Sequence, residues 1–427
     1  MAGGCCRPPS AETACATLRP DEIGLSSGHP DRSPHYVPVA AEPNEPAAWA
    51  GGILTIDLSA LAANYRTLRD RVGPAVTCAA AVKADAYGLG AARVVPVLHR
   101  AGCRTFFVAH LAEGAAIRPL LGPDSTVLVL NGAMPGTEGA LHAAGLVPVL
   151  NSLEQIARWR TLAHQAGTTL PAALQIDSGM SRFGLSEDDV DTLLAEDAPL
   201  AGIAPRLVMS HLACADEPAH PANHAQRTVF QRLRARLPSL PASLAASSGL
   251  FLGPDWHFDM VRPGAALYGI NPTPGLSNPM QPVVRLQARI IQTRRIGPGT
   301  AVGYGAGFIA DRPSHIATLG VGYGDGFPRA IGGHGHAVLP DRPDILLPIV
   351  GRISMDCLAV DLTALGDSPP AAGTALDLIG PHHPLEDAAT AAGTIGYELL
   401  TGLGTRYHRR YRDDTSPQDT SPQGENG

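Results

Sequence analysis

Between about residues 49 and 282, short apolar runs rich in β-branched residues alternate with longer stretches of helical spacing. Helix-like segments lie between most of the runs; one, 152–167, has Ser152 as its N-cap and Gly167 as its stop. Eight crossover-linked strands over about 200 residues predict a (β/α)8 TIM-like barrel at 49–282, an α/β fold. The eight runs that we interpret as buried strands are 76–82, 105–109, 126–130, 148–150, 172–176, 206–210, 243–247 and 264–269.

The pattern changes after about residue 283. Strand-like runs separated by Gly and Pro turns continue to residue 411, with little helical spacing before 394–403. This predicts a second, mostly β domain at 283–411, starting next to Pro282. The leader 1–48 and the tail 412–427 are rich in polar residues, Pro and Ala without periodicity, so we expect both to be disordered.

Composition excludes several classes of partner. With 44% hydrophobic and 17% charged residues, the 427-residue chain is typical of soluble globular proteins. A net charge of −7, spread along the chain, favours neither nucleic acid nor an anionic membrane. No apolar run approaches the roughly 20 residues that span a bilayer, and the N-terminus does not resemble a secretory signal. Small molecules or further copies of the chain remain as partners.

The seven cysteines show no regular spacing. Their odd number favours reduced thiols and a cytoplasmic location. Cys5 and Cys6 could suggest a metal or redox pair, but no matching CxxC or histidine cluster lies nearby, so we expect no metal site.

Polar side chains follow the predicted barrel strands. In such a barrel, ligands bind at the C-terminal ends of the strands, so this clustering predicts a site for a polar, anionic ligand. The residues at these ends are Lys83, His110, Asn131, Asn151, Asp177 with Arg182, His211, Ser247 and the turn from Arg262 to Gly264.

Lys83 ends the apolar run CAAAV and precedes ADAYGLG. A lysine at a buried strand end loses hydration, which lowers its pKa and frees the amine to attack an aldehyde. The same position also suits a lysine whose ammonium group simply reaches solvent at the barrel rim. The strand context leaves both interpretations open. The glycines after Tyr87 could form a phosphate-binding turn, but they match no established phosphate motif.

AVKADAYGLG resembles the lysine signature of the alanine racemase family, a group of fold-type III pyridoxal 5'-phosphate enzymes. Further blocks resemble the family's other motifs in the same order, and together they cover about residues 52–410. Jointly they are highly specific, although each is modest by itself. These blocks are DSGMSRFG (177–184), SHLACAD (210–216), LAASSG (244–249), DMVRPGAALYGINP (259–272), VGYGAGF (302–308), GVGYGDGFPR (320–329) and GRISMD (351–356).

The resemblance implies that Lys83 binds pyridoxal 5'-phosphate as a Schiff base and also serves as one of two bases. Tyr304 would be the base on the opposite face of the substrate's Cα. Arg262 would face the pyridine nitrogen of the cofactor, with His211 between Arg262 and Tyr304. Because arginine keeps its proton, the ring nitrogen opposite it would stay unprotonated, which limits side reactions.

Other positions are implied in the same way. Tyr87, Ser247, Gly264 and Ala265 would form the phosphate cradle. Arg182, Tyr323 and Met355 would contact the substrate carboxylate or line its entrance. The family resemblance also implies a homodimer in which Tyr304, Tyr323 and Met355 complete the partner's site. The implied reaction interconverts L-alanine and D-alanine, and supplies D-alanine for peptidoglycan.

Three positions depart from the family pattern. Gln175 stands where many members carry a carbamylated lysine, and its amide oxygen could accept a hydrogen bond from Arg182. We therefore expect activity without bicarbonate. Ala246 replaces a frequent asparagine, and Thr405 stands where some members place a phosphate-binding tyrosine, which leaves the third phosphate contact unassigned.

Two alternative functions remain open at this stage. A broad-specificity or serine racemase differs little from an alanine racemase at the entrance residues. A non-catalytic pyridoxal phosphate carrier would resemble the barrel alone, whereas this sequence carries the β-domain motifs VGYGAGF and GRISMD.

Overall fold

The computed structural model describes residues 47–413. The predictions for residues 1–46, including the Cys5–Cys6 pair, and for the tail from residue 414 lie outside the described residues. No helix in the described part of the chain is long and apolar enough to cross a membrane.

Strand β1 (Gly52–Asp57) precedes a closed barrel of parallel strands. The first barrel strand has two parts, β2 and β3, separated by Ala79; β2 pairs with β10 and β3 with β4, which closes a ring of eight strands. The predicted barrel is confirmed. Its segments are β2 (Thr77–Cys78), β3 (Ala80–Ala81), β4 (Thr105–Val108), β5 (Thr126–Val129), β6 (Val147–Leu150), β7 (Leu170–Gln175), β8 (Ile203–Met209), β9 (Ala242–Ser243) and β10 (Met260–Val261).

Helices follow most of the barrel strands. Helix α1 (Leu58–Val72) follows β1, and those after the barrel strands are α2 (Lys83–Tyr87), α3 (Ala91–Arg100), α4 (Leu111–Ile117), α5 (Glu138–Ala143), α6 (Leu153–Ala166), α7 (Glu187–Leu194) and α8 (Pro221–Arg234). Helix α6 shows how local sequence sets these limits: the Ser152 hydroxyl accepts from the amide of Gln155, and Gly167 ends the helix with a φ of 60°. Both ends were predicted from the sequence.

One predicted strand is wrong. The run 264–269 forms a 3-10 turn at Ala265–Tyr268, and the eighth strand is β10. A short buried apolar run fits either structure, so its hydrophobicity alone does not decide between them. Here the amides of Gly264 and Ala266 both donate to the Ser247 hydroxyl rather than to a neighbouring strand.

The second domain is mostly β, as predicted. Its elements are β11 (Val284–Ile296), β12 (Ala301–Val302), β13 (Phe308–Ile309), β14 (Ser314–Leu319), β15 (His336–Leu339), β16 (Arg342–Val350), β17 (Leu358–Asp361), β18 (Ala375–Ile379), α9 (Leu385–Ala391), α10 (Gly396–Gly402) and β19 (His408–Arg412).

Strand β1 belongs to the sheet of this second domain. It pairs antiparallel with β11 and parallel with β19. Residues 52–57, which the sequence pattern placed with the barrel at 49–282, therefore lie in the other sheet. The boundary at 282/283 stays a prediction.

The barrel interior is filled by a compact apolar cluster of small and large side chains. This packing forms a solid floor beneath the C-terminal ends of the strands, where the polar residues lie. The cluster contains Ala79, Ala81, Phe107, Leu128, Val147, Val149, Ala173, Leu207 and Met209.

Candidate active site at the barrel mouth

Lys83 lies at the C-terminal end of β3, where the chain takes an unusual conformation. The four residues after it, 84–87, all have φ between 53° and 56°, so α2 contains a turn of left-handed backbone. Left-handed helical backbone costs L-residues roughly 1–2 kcal/mol each. The surrounding structure must therefore hold this turn in place.

Glu113, on α4, fixes the N-terminal end of the turn. One carboxylate oxygen accepts from the amide of Ala84 at 2.8 Å, and the other accepts from the amides of Ala109 at 2.7 Å and His110 at 3.2 Å. Glu113 was not predicted as a site residue. Its signal is the acidic residue at the third position of a helix, where a side chain can reach back to the preceding strand end.

The environment of Lys83 favours the neutral amine. Burial lowers the pKa of Lys83 below its ordinary value of 10.5, and the nearby charge of Arg182 lowers it further, while Glu113 acts in the opposite direction. This supports the interpretation of Lys83 as a nucleophile rather than a lysine at the barrel rim.

Lys83 is the sole lysine of the chain, so its ε-amine can be titrated without interference from other lysines. In the apoprotein we expect acylation of Lys83, measured by mass spectrometry of its peptide, to become half-maximal below pH 10.5. Replacing Arg182 with glutamine removes a positive charge, so the pKa should rise and the curve should move to higher pH. The control is Arg206→Gln, an exposed arginine of β8. An Arg182→Gln curve that coincides with the wild-type curve would contradict the assigned cause.

Arg262 is buried and tightly held. It donates to the carbonyl of Ser210 at 2.6 Å and to the hydroxyl of Ser243. It also lies 3.5 Å from Nδ1 of His211, which must accept because a guanidinium only donates. Burial lowers the pKa of Arg262 to about 10, so it stays charged at neutral pH. Among residues 47–413 no carboxylate pairs with it.

His211 is neutral at this site. Burial, followed by the charges of Arg262, Arg182 and Lys83, lowers the pKa of His211 to about 3. With Nδ1 accepting from Arg262, the imidazole proton lies on Nε2 and can be donated to another group. Ser210 and Ser243, which orient Arg262, were not predicted as supporting residues.

The predicted phosphate cradle comes together around Ser247. Its hydroxyl accepts from the amides of Gly264 and Ala266, both at 3.1 Å. A Cβ atom at Gly264 would overlap the hydroxyl of Tyr87, so only glycine allows this close approach. The ring of Tyr87 packs on that of Tyr268 with 4.6 Å between centroids. Hydroxyls and turn amides converging on one point suit a phosphate group.

Arg182 borders an open cavity of about 470 Å³. Asp177 orders the loop formed by residues 177–184 (the Arg182 loop), because its carboxylate accepts hydrogen bonds from the amides of Gly179, Met180 and Ser181. The cavity is lined by Asn151, Ser152, Gln155, Asp177, Ser181, Arg182, Phe183 and Gly184.

Gln175 acts differently from the expectation. Its amide nitrogen donates to the carbonyl of Phe183 at 3.3 Å, next to Arg182. No hydrogen bond from the Arg182 guanidinium to Gln175 occurs within the described residues. Gln175 therefore supports the backbone of the Arg182 loop, because the group that meets its buried side-chain amide is the carbonyl of Phe183 and not the guanidinium of Arg182.

Tyr304, Tyr323 and Met355 all belong to the second domain, and their side chains have large exposed fractions of 71%, 42% and 53%. The Tyr323 and Met355 loops are joined by backbone bonds, from the amide of Tyr323 to Ser354 at 3.0 Å and from Gly324 to Met355 at 2.8 Å. In the described part of the chain no hydrogen bond or ring contact joins Tyr304 to Lys83.

Arg406 holds these loops together. It pairs with the buried Asp325 at 2.9 Å and with Asp356 at 2.8 Å. Asp325 in turn accepts from the amide of Gly322 at 2.8 Å. Neither Arg406 nor Asp325 was predicted, since a surface ion pair and a loop carboxylate give no distinctive sequence signal.

The donor set fits one type of cofactor. A lysine with a lowered pKa suits an aldehyde, and the Ser247 and Tyr87 cradle suits a phosphate. Arg262, which pairs with no described carboxylate, suits a neutral ring nitrogen. Pyridoxal phosphate combines these three groups.

Comparison with known proteins agrees with this geometry. Residues 56–272 match the family model for the alanine racemase N-terminal domain, and residues 283–411 match that for the C-terminal domain. The catabolic alanine racemase of Mesorhizobium japonicum is 52% identical over 85% of this chain and 94% of its own length. The alanine racemase of Rhodospirillum rubrum is 50% identical over 85% and 96%. The crystal structure of alanine racemase from Bartonella henselae with covalently bound pyridoxal phosphate superposes with a TM-score of 0.82 at 42% identity, over 85% of this chain and all of that one.

Proposed function

The chain belongs to the alanine racemase family, and on that premise we propose that Lys83 and Tyr304 are the two bases of its reaction. The enzyme interconverts L-alanine and D-alanine with pyridoxal 5'-phosphate as cofactor. The proposal is supported above all by the only lysine of the chain, which lies at the barrel mouth with a lowered pKa.

Lys83, Tyr87, Ser247, Gly264 and Ala265 would hold the cofactor. When bound, pyridoxal phosphate supplies an electron sink that makes the Cα proton of an amino acid acidic enough for a side chain to remove. The uncharged Lys83 amine takes or returns a proton on one face of Cα.

The Tyr304 hydroxyl acts on the other face. A phenol has a pKa near 10, so it needs nearby positive charge or a hydrogen bond to act as a base. Neutral His211, with its proton on Nε2 and Arg262 behind it, would supply that hydrogen bond. Arg182 would orient the substrate carboxylate. Tyr323 and Met355 would border the substrate entrance.

We also propose a homodimer in which Tyr304, Tyr323 and Met355 enter the partner's barrel mouth. The exposure of all three side chains supports this arrangement, as do the backbone bonds that join the segments of Tyr323 and Met355. Large side chains that are exposed in the single chain are suited to burial against a second surface.

Subunit mixing tests the dimer. Lys83→Ala and Tyr304→Phe should each be inactive as homodimers, but heterodimers would regain one intact site if Tyr304 acts across the interface. After unfolding and refolding together in equal amounts, the mixture should recover about a quarter of the wild-type activity, since half of the dimers are mixed and each has one working site. Recovery absent from a mixture shown to contain heterodimers would place Tyr304 in its own chain's site.

Activity should be independent of bicarbonate. Gln175 cannot be carbamylated, and its bond to Phe183 supports the Arg182 loop without an added group. We expect equal initial rates in degassed buffer and in the same buffer with added bicarbonate. Gln175→Lys is the informative comparison, because it alone should acquire a bicarbonate-dependent rate.

A role in supplying D-alanine for peptidoglycan and a cytoplasmic location complete the proposal. The four described cysteines, Cys78, Cys103, Cys214 and Cys357, form no disulfide with one another, which suits a reducing compartment.

A further inference from the structure

The last strand of the second domain reaches the barrel loop that follows Lys83. Arg409, on β19, donates to the carbonyl of Gly88 at 2.6 Å and to that of Gly404 at 3.2 Å. The hydroxyl of Tyr411 donates to the carbonyl of Leu89 at 3.0 Å. The two acceptors in the barrel come directly after the left-handed turn, so these bonds tie its C-terminal end to the other domain.

The surfaces fit closely at this contact. A Cβ atom at Gly90 would overlap the hydroxyl of Tyr411, and one at Gly88 would lie 2.6 Å from the carbonyl of Leu400 in α10. The guanidinium of Arg93 lies over the ring of Tyr411, 4.9 Å from its centroid. The contact is therefore a closely packed interface between the two domains rather than a loose contact of surface side chains.

Strand β19 is held rigidly by β1. The two strands pair in parallel over five residues, with Arg409 opposite Leu54 and Tyr411 opposite Ile56. Because side chains alternate along a strand, Arg409 and Tyr411 face the barrel loop together, whereas Arg410 lies on the other face and is exposed.

We propose that Arg409 is a positioning residue that holds Lys83 in place through the left-handed turn, with Tyr411 as its support. This rests on the proposed role of Lys83 but concerns contacts within one chain, unlike the contribution of Tyr304 to the partner. Four L-residues in left-handed backbone return to more favourable conformations unless both ends of the turn are fixed. Glu113 fixes the first end and Arg409 the second, the latter by a charge-assisted hydrogen bond. In this way, the second domain of each chain fixes the position of Lys83 in the barrel of the same chain.

Hydrogen exchange of the apoprotein tests this proposal. Arg409→Met should raise the exchange rate of amides in residues 84–90 by about tenfold. The reason is that losing one well-formed hydrogen bond increases the population of the locally open state by about this factor. Arg409→Lys should restore part of the protection, because lysine keeps one charged donor. Arg410→Met is the matched control and should leave exchange unchanged. Unchanged exchange of 84–90 in Arg409→Met would overturn the proposal.

Cofactor binding gives a second readout. Arg409→Met should weaken pyridoxal phosphate binding and lower kcat each by about tenfold, with little change in the KM for alanine, since the substrate contacts are untouched. An altered KM with unchanged kcat and cofactor affinity would count against positioning of Lys83.

Tyr411→Phe keeps the test decisive if Arg409→Met does not fold. It deletes only the hydroxyl bonded to Leu89, and should raise exchange in 84–90 several-fold, as expected for one neutral hydrogen bond. Exchange that stays at the wild-type rate there would refute the proposal. The exchange measurement needs neither cofactor nor turnover, so it tests the role of Arg409 even if the wild-type chain is inactive on alanine. Such inactivity would contradict the proposed function but not the positioning role of Arg409.

Discussion

Lys83→Ala is expected to abolish racemisation, lowering kcat/KM by about 10⁴-fold or more, because one side chain supplies both the covalent attachment of the cofactor and one base. The purified variant should also lose the absorbance of the lysine-bound cofactor. Borohydride reduction of the wild-type enzyme should fix one equivalent of cofactor, and as Lys83 is the sole lysine, any ε-amine label maps to it. The measurement is a D-alanine formation assay coupled with peptide mass spectrometry.

Added methylamine separates chemistry from folding in this experiment. A small amine can occupy the space left by the lysine side chain, so it should restore part of the activity of Lys83→Ala but not alter the wild-type enzyme. A variant with intact cofactor absorbance and wild-type turnover would refute the assignment of Lys83 outright.

Tyr304→Phe is expected to lower kcat/KM in both directions by about 10²–10⁴-fold, the usual contribution of a general acid or base. Cofactor absorbance should persist, because Tyr304 belongs to the second domain and Lys83 is untouched. In deuterated water, one enantiomer of alanine should still exchange its Cα proton through Lys83, while exchange of the other enantiomer should be lost. Proton NMR of each enantiomer measures both rates.

Tyr407→Phe is the control for Tyr304→Phe. The buried Tyr407 hydroxyl has no hydrogen-bond partner in the described part of the chain, so its removal should leave turnover unchanged. If Tyr304→Phe slowed the exchange of both enantiomers equally, Tyr304 would be positioning substrate rather than acting as a base on one face.

Much of the fold could be predicted from the sequence because it depends on local patterns. Alternating apolar runs and helical spacing indicated the barrel, and Gly and Pro turns indicated the β domain. The errors arise where local patterns are ambiguous. Residues 264–269 are apolar enough for a strand, but they form a turn in which the amides of Gly264 and Ala266 donate to the Ser247 hydroxyl. Residues 52–57 do form a strand, but which sheet this strand joins is decided by its pairing with β11 and β19.

The candidate site divides in the same way. Residues that carry distinctive chemistry, such as Lys83 and Arg262, could be proposed from motifs. Supporting residues such as Arg406 and Arg409 could not, because each acts through a contact with a segment distant in sequence, and charged residues of this type are ordinary at protein surfaces.

The sequence by itself determined most of the order of strands and helices and allowed the reactive groups to be proposed, since hydrophobic periodicity and side-chain motifs are properties of short segments. Only the tertiary structure decided how those groups are tuned and held. The lowered pKa values of Lys83 and His211 come from burial and from charges brought close by folding. The left-handed turn after Lys83 likewise persists through bonds to α4 and β19, because strained backbone is stable only where distant parts of the chain fix both its ends.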